Sequence, residues 1–159
     1  MNKLQVGHQH LFFDHSSFNI QNWTDLPMQN PLKIIQVTAA ILQREDKILI
    51  AQRKKGDRLE GKWEFPGGKI EDGESPETCL QRELQEELGI EVRIGEFICE
   101  SEYQYPHIHI RLLAYQTFYL SGETQLNDHA AIKWVTLEEM KSYDFAPADV
   151  PIVKVLKEG

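Results

Sequence analysis

The stretch from residue 66 to residue 89 constrains the fold most strongly, because a block of turn residues leads directly into a capped helix. Ser75 is a good N-cap, and Gly89 suits the left-handed residue that ends a helix. The preceding turn block consists of Pro66, Gly67, Gly68, Glu71, Asp72, Gly73 and Glu74. The helix predicted from Ser75 to Leu88 carries one apolar face, formed by Leu80, Leu84 and Leu88.

Strand patterns lie on both sides of this helix. Apolar and β-branched runs predict strands at 34–42, 47–52, 91–102, 109–120 and 132–135. The strand at 91–102 is expected to break at Gly95, and residues 53–62 are expected to form a loop. A helical turn at 137–141 and a last helix from about 147 to 157 complete the chain. This order predicts an α/β fold with a mixed β-sheet sandwiched between α-helices.

Residues 1–30 show neither a helical nor a strand period. They predict an irregular or disordered N-terminal extension, or sequence upstream of a start at Met28, followed by one domain over residues 31–159. Three histidines in this extension could bind a metal, but their spacing without flanking structure is weak evidence: His8, His10 and His15.

The overall charge limits the class of ligand. Seventeen Lys and Arg against twenty-five Asp and Glu give a formal charge of −8, which argues against a nucleic-acid polymer as partner. A small phosphorylated ligand stays possible, since a metal ion can supply positive charge. The two cysteines, Cys79 and Cys99, are expected to be reduced, and no apolar run approaches the roughly 20 residues of a membrane span. We therefore expect a cytoplasmic protein, monomeric by default.

Three glutamates share one side of the predicted helix. Glu83, Glu86 and Glu87 stand at i, i+3 and i+4, where like charges repel by about 0.2–0.5 kcal/mol per pair. Arg82 is the only cation in the last two turns. Such carboxylates suit Mg²⁺ or Mn²⁺, and an acidic, solvent-exposed helix face is the alternative. Because Gly67-Gly68 allows a close backbone approach and the loop delivers Glu74 to the same helix, one continuous phosphate-and-metal site is favoured.

The same residues resemble the signature of the Nudix hydrolases, G-x5-E-x7-R-E-U-x-E-E-x-G-U, where U is aliphatic. The matching positions are Gly68, Glu74, Arg82, Glu83, Leu84, Glu86, Glu87, Gly89 and Ile90. The segments 63–69 and 146–149 are similar to the MutT-like branch, and the likeness covers about residues 34–157. The resemblance implies a Nudix fold over the domain. It also implies Mg²⁺-dependent hydrolysis of a nucleoside triphosphate to the monophosphate and pyrophosphate.

Further roles follow from the resemblance alone. Glu83, Glu86 and Glu87 would bind the metal together with the carbonyl of Gly67. Glu74 would be an outer-sphere ligand or a base acting through water.

Arg82 would orient a carboxylate, unless it is only a surface ion pair with Glu86. Asp128 stands where the family often has a glutamate base; a capping Asp in an ordinary turn is the alternative.

The substrate-binding residues implied by the resemblance are Arg53, Phe65, Tyr105 and Asp149. Arg53 would contact the phosphates, or be a solvated loop cation, and Phe65 and Tyr105 would stack on the base, unless Phe65 belongs only to the core.

Asp149 replaces an Asn that reads oxidised guanine in MutT enzymes, and Ile108 replaces an arginine. An ionised Asp149 suits the amino group of cytosine, whereas a protonated one could also donate.

These features lead to one main hypothesis, a pyrophosphohydrolase that removes 8-oxo-dGTP from the nucleotide pool. The alternatives are a CTP or 5-methyl-dCTP pyrophosphohydrolase and an enzyme for nucleotide sugars or dinucleoside polyphosphates. A further alternative, from a different class, is a non-catalytic nucleotide-binding sensor.

Overall fold

The computed structural model describes residues 33–159. The predicted N-terminal extension and its three histidines lie outside these residues. The described elements, in chain order, are β1 (Ile34–Arg44), β2 (Lys47–Arg53), β3 (Trp63–Glu64), α1 (Pro76–Leu88), β4 (Glu91–Tyr105), β5 (Ile108–Ser121), β6 (His129–Thr136), a 3₁₀ helix (Glu139–Ser142) and α2 (Val150–Glu158).

The strands form a mixed sheet with the order β3-β2-β1-β5-β4, and β6 pairs with β2. β1 and β5 are parallel, and the other pairs are antiparallel. Alternate residues of β1 serve opposite faces: Ala40 and Leu42 pack with α1, whereas Ala39 and Ile41 belong to the cluster that includes Ile152 of α2. The predicted sheet between α-helices is confirmed.

The helix α1 has the predicted ends and apolar face. The Ser75 hydroxyl accepts a hydrogen bond from the Thr78 amide at 3.1 Å. Gly89 has a φ of +68°, and its amide donates to the Gln85 carbonyl. Leu80, Leu84 and Leu88 are fully buried, so the spacing of four places them against the sheet.

Two predicted boundaries differ from the structure. β4 does not break at Gly95; it continues with register shifts between Ile94 and Phe97. A Cβ on Gly95 would lie 2.7 Å from the Phe118 ring, which explains a glycine within this bulged strand. The helix expected from about residue 147 begins at Val150.

Immediately before α2, the Ala146 carbonyl accepts hydrogen bonds from the Asp149 and Val150 amides, and these bonds form a turn. The expected helical turn at 137–141 is the 3₁₀ helix, and the short strand β3 was not predicted.

β1 and β2 pair at only two positions and then diverge. The chain that follows β3 fills the gap: the Thr38 amide donates to the Gly68 carbonyl and the Ala40 amide to the Pro66 carbonyl, each at 2.8 Å. The glycine turn therefore lies within the sheet, beside the helix that carries the three glutamates.

Cys79 and Cys99 are free thiols, as expected. Among residues 33–159, no helix has the length and apolar character needed to cross a membrane.

Candidate active site

A cleft of about 320 Å³ opens beside the glycine turn. Eight of the eleven candidate residues line it: Arg53, Phe65, Gly67, Glu83, Glu87, Tyr105, Asp128 and Asp149. Glu74, Arg82 and Glu86 do not line the cleft; they form a charged group beside it.

Two glycines bring the main chain close to the cleft. A Cβ on Gly67 would lie 2.1 Å from the Thr38 carbonyl oxygen. A Cβ on Gly68 would lie 2.2 Å from the carboxyl carbon of Glu83. Glycine at position 67 therefore allows the chain to pack against the main chain of β1. Glycine at position 68 leaves space for the carboxylate of Glu83.

Gly67 lies between two residues that are hydrogen-bonded to β1. In an extended chain successive carbonyls alternate in direction, and the carbonyls on either side, those of Pro66 and Gly68, both accept hydrogen bonds from β1. Gly67 itself lines the cleft, so its carbonyl is a candidate oxygen donor there.

Glu87 is a strongly perturbed carboxyl group of the cleft. Burial raises its pKa to about 9, with further contributions from the charges of Glu64, Glu83 and Asp128, against a hydrogen bond from the Gly67 backbone. Its Oε2 is buried and accepts no hydrogen bond. A carboxyl group in such a place is either protonated or paired with a cation, and its hard oxygen donors suit a divalent ion.

The side chains themselves stand apart. Within residues 33–159, no three His, Cys, Asp or Glu side chains converge at metal-binding spacing. Arg82 draws Glu83 to its Nη1 at 2.7 Å, while Glu86 is 61% exposed and lies 3.4 Å from the same nitrogen.

Arg82 organises the acidic group rather than pairing with Glu86 alone. Its Nε and Nη2 donate to the two oxygens of Glu74 at 2.8 and 3.0 Å, and Nη2 also reaches the Lys69 carbonyl. The paired guanidinium lowers the pKa of Glu74 to about 2. Glu74 is therefore a weak proton acceptor at neutral pH.

We expect Arg82→Lys to lower kcat/KM by about 10- to 100-fold, because an ammonium group cannot replace the fork that holds two carboxylates at once. Steady-state kinetics and Mn²⁺ affinity measured by calorimetry would check this. Arg111→Lys, which alters an exposed pair with Glu102, is the matched control and should change neither quantity. Wild-type kinetics in Arg82→Lys would contradict an orienting role.

Sequence reasoning missed a network on the other side of the cleft. Glu64 accepts from Arg53 Nη1 at 2.8 Å and shares a hydrogen bond with His129 Nε2 at 3.0 Å. Arg53 Nη2 binds Asp57 at 2.6 Å. Burial alone would lower the pKa of Arg53, but these two carboxylates raise it above its ordinary value. Arg53 is thus an anchored cation and not a solvated one.

Asp128 lies at the rim of the cleft. Its side chain is 57% exposed, and its Oδ1 lies 2.5 Å from Lys54 Nζ. Of the two candidate general bases, Asp128 is the one that lines the cleft, whereas both carboxylate oxygens of Glu74 accept hydrogen bonds from Arg82.

The opposite end of the cleft is apolar around one buried acid. Phe65 is 3% exposed and belongs to the apolar core as well as to the cleft wall. Asp149 is buried, and its Oδ1 accepts from the Phe65 amide at 2.9 Å. Burial, followed by the charge of Glu64, raises the pKa of Asp149 well above its ordinary value. Ile108 begins β5, and Ile110 lines the cleft.

The family model of the NUDIX domain matches residues 33–156. With the mixed sheet and the acidic cleft, this match defines the class: the chain belongs to the Nudix family of hydrolases. Members of this family generally use divalent metal ions.

Two relatives and one solved structure are similar to this chain over most of their length. The chain is 42% identical to the CTP pyrophosphohydrolase of Escherichia coli over 123 residues, covering 77% of this chain and 91% of the relative. It is 35% identical to the 8-oxo-dGTP diphosphatase of the same organism, covering 79% and 98%. The solution structure of the E. coli ORF135 protein superimposes with a TM-score of 0.70 at 39% identity, covering 80% of this chain and 91% of that chain.

Proposed function

We propose that this protein is a Mg²⁺-dependent nucleoside triphosphate pyrophosphohydrolase of the MutT type, which releases the monophosphate and pyrophosphate. The observation that carries the proposal is the buried, unpartnered Oε2 of Glu87 beside the glycine turn. A buried carboxylate oxygen without a hydrogen-bond partner destabilises the folded protein, but it can hold a cation against an anionic substrate.

The metal-binding residues proposed are Glu83, Glu86 and Glu87 with the carbonyl of Gly67. A bound Mg²⁺, or Mn²⁺ in its place, supplies positive charge to the phosphates and acidifies water. Arg82 keeps Glu83 and Glu86 on one side of α1, and Gly68 leaves room for the Glu83 carboxylate.

The general base that we propose for catalysis is Asp128. It lines the cleft and is exposed, so its carboxylate can take a proton from water near the phosphates. Glu74 is proposed as a supporting, outer-sphere group, because both of its oxygens are held by Arg82.

Arg53 is proposed to contact the phosphate chain. It lines the cleft, and an incoming phosphate can compete with the partly exposed Asp57 for its Nη2. Glu64 and His129 would hold the rest of the guanidinium in place during this exchange.

The nucleobase that we propose for the apolar end of the cleft is 8-oxoguanine, which would lie between Phe65 and Tyr105. The raised pKa of Asp149 favours a neutral carboxyl, which both donates and accepts. Such a group matches the O6 acceptor and the N7–H donor of oxidised guanine, whereas unmodified guanine presents two acceptors there. The 8-oxo-dGTP diphosphatase relative supports this choice.

A second candidate substrate is CTP or 5-methyl-dCTP. The 42% identity to a CTP pyrophosphohydrolase favours it, and the N3 and amino group of cytosine also pair with a neutral carboxyl. A nucleotide-binding sensor without activity is not proposed, because the chain belongs to a hydrolase family and retains all the box glutamates.

Three further predictions from the sequence stay open. We propose a cytoplasmic monomer, with a domain that follows an N-terminal extension over residues 1–30.

The test is turnover in Mg²⁺ across 8-oxo-dGTP, dGTP, CTP, 5-methyl-dCTP, UTP and ADP-ribose at equal concentration. We expect the highest kcat/KM for 8-oxo-dGTP, with dGTP well below it. A maximum at CTP or 5-methyl-dCTP would establish the second candidate. A maximum at ADP-ribose would contradict the triphosphate proposal.

A further inference from the structure

The segment from Asp144 to Asp149 carries the buried acid into the cleft. Its first part is held by the main chain of β3, since the Trp63 amide donates to the Asp144 carbonyl and the Ala146 amide to the Trp63 carbonyl, at 2.9 and 2.8 Å. At Ala148, one residue before Asp149, the backbone is held by side chains of β4 instead.

Both polar groups of Ala148 are bound by β4. Ser101 Oγ donates to the Ala148 carbonyl at 2.5 Å, and the Ala148 amide donates to Tyr105 Oη at 3.3 Å. Ser101 and Tyr105 are four residues apart on one strand, so they share a face of the sheet. Ser101 is 6% exposed and lies outside the Nudix signature.

The next residue, Asp149, occupies the N-cap position of α2 but makes no capping hydrogen bond with its side chain. Its carboxyl is turned to the Phe65 amide instead. The orientation of this carboxyl therefore depends on Phe65 and on the backbone of Ala148, whose carbonyl is bound by Ser101 and whose amide is bound by Tyr105.

We infer that Ser101 is a positioning residue for base selection, which fixes the Asp149 carboxyl in the cleft through the Ala148 carbonyl, part of the peptide group that joins Ala148 to Asp149. The inference rests on the proposed function, in which Asp149 reads the base. The phosphate end is built on α1 and the glycine turn, which Ser101 does not contact through a hydrogen bond. Loss of the Ser101 hydroxyl should therefore affect base selection and leave phosphate chemistry intact.

The experiment compares Ser101→Ala with the wild type on three substrates: the best nucleotide of the panel, its poorest triphosphate, and the abasic 2′-deoxyribose 5′-triphosphate. We expect the selectivity between the two nucleotides to fall about tenfold through KM, because a buried carbonyl loses its donor. Turnover of the abasic triphosphate should stay within about twofold. Ser101→Thr keeps the hydroxyl and should restore most of the selectivity.

Ser121→Ala is the matched control, because Ser121 binds the exposed Glu91 on the far end of the sheet. Unchanged selectivity in Ser101→Ala would overturn the inference, and so would an equal loss on the abasic substrate. If Ser101→Ala does not fold, Ser101→Cys replaces the hydroxyl by a weaker donor of similar size, and the same two outcomes apply. A wild-type enzyme without base preference would contradict the proposed reading of the base by Asp149, and the inference with it.

Discussion

Glu87→Gln is expected to lower kcat by about 10²- to 10³-fold in Mg²⁺ and to make the metal-free protein more stable. The first effect follows from the loss of a proposed metal ligand. The second follows from burial, because the native carboxyl lies in a place that disfavours its charge and leaves Oε2 without a donor. An amide of similar shape carries no charge to bury.

The stability effect has a defined pH dependence. The pKa of Glu87 is about 9 in the folded protein and 4.5 in the unfolded chain, so the folded state holds the proton more tightly between these values. Wild-type stability in EDTA should therefore fall relative to Glu87→Gln as pH rises from about 5 to 9, by at most about 1.4 kcal/mol per pH unit. Below pH 4.5 both states are protonated, and this contribution of charge burial disappears.

Urea unfolding in EDTA at pH 5, 7 and 8.5 would measure this difference. Glu86→Gln is the stability control, because Glu86 is exposed on the same helix and its substitution should shift the free energy of unfolding little at any pH. Glu77→Gln, in the exposed first turn of α1, is the activity control. A Glu87→Gln protein with full turnover would contradict the metal assignment, and one without a stability gain at pH 8.5 would contradict the burial argument.

Gly68→Ala is expected to fold normally and to lose about 10²-fold in kcat/KM. The new Cβ would lie 2.2 Å from the carboxyl carbon of Glu83, so the end of this flexible side chain must move away. A displacement of about 1 Å in a catalytic site is enough for a loss of this size. Kinetics in Mg²⁺, with thermal unfolding as the check on folding, would measure both effects.

Two comparisons isolate the cause. Gly67→Ala should instead destabilise the fold, since its Cβ would meet the main-chain carbonyl of Thr38 at 2.1 Å. In a Glu83→Gln background, Gly68→Ala should cost little more, because the two substitutions act on one carboxylate. An additive loss in the double variant would show that Gly68 acts independently of Glu83.

The central helix and its acidic box could be predicted from sequence because their signals are local. The cap at Ser75, the left-handed Gly89 and the leucines at intervals of four depend only on neighbours along the chain. The strand β1 followed from its local run of apolar and β-branched residues in the same way.

The parts that were missed depend on contacts between distant segments. The strand β3 is only two residues long and exists because β1 and β2 diverge. Glu64 and His129 are 65 residues apart, and Ser101 and Ala148 are 47 residues apart. No local period marks such pairs, so nothing in the sequence indicates the contact between Ser101 of β4 and Ala148.

The most direct test of the proposed activity is ³¹P NMR of the reaction with the best nucleotide of the panel in Mg²⁺. We predict equal amounts of nucleoside monophosphate and pyrophosphate, with no inorganic phosphate, from the wild type and a much slower appearance of both from Glu87→Gln. Nucleoside diphosphate and inorganic phosphate as products, or an unchanged rate in Glu87→Gln, would contradict it.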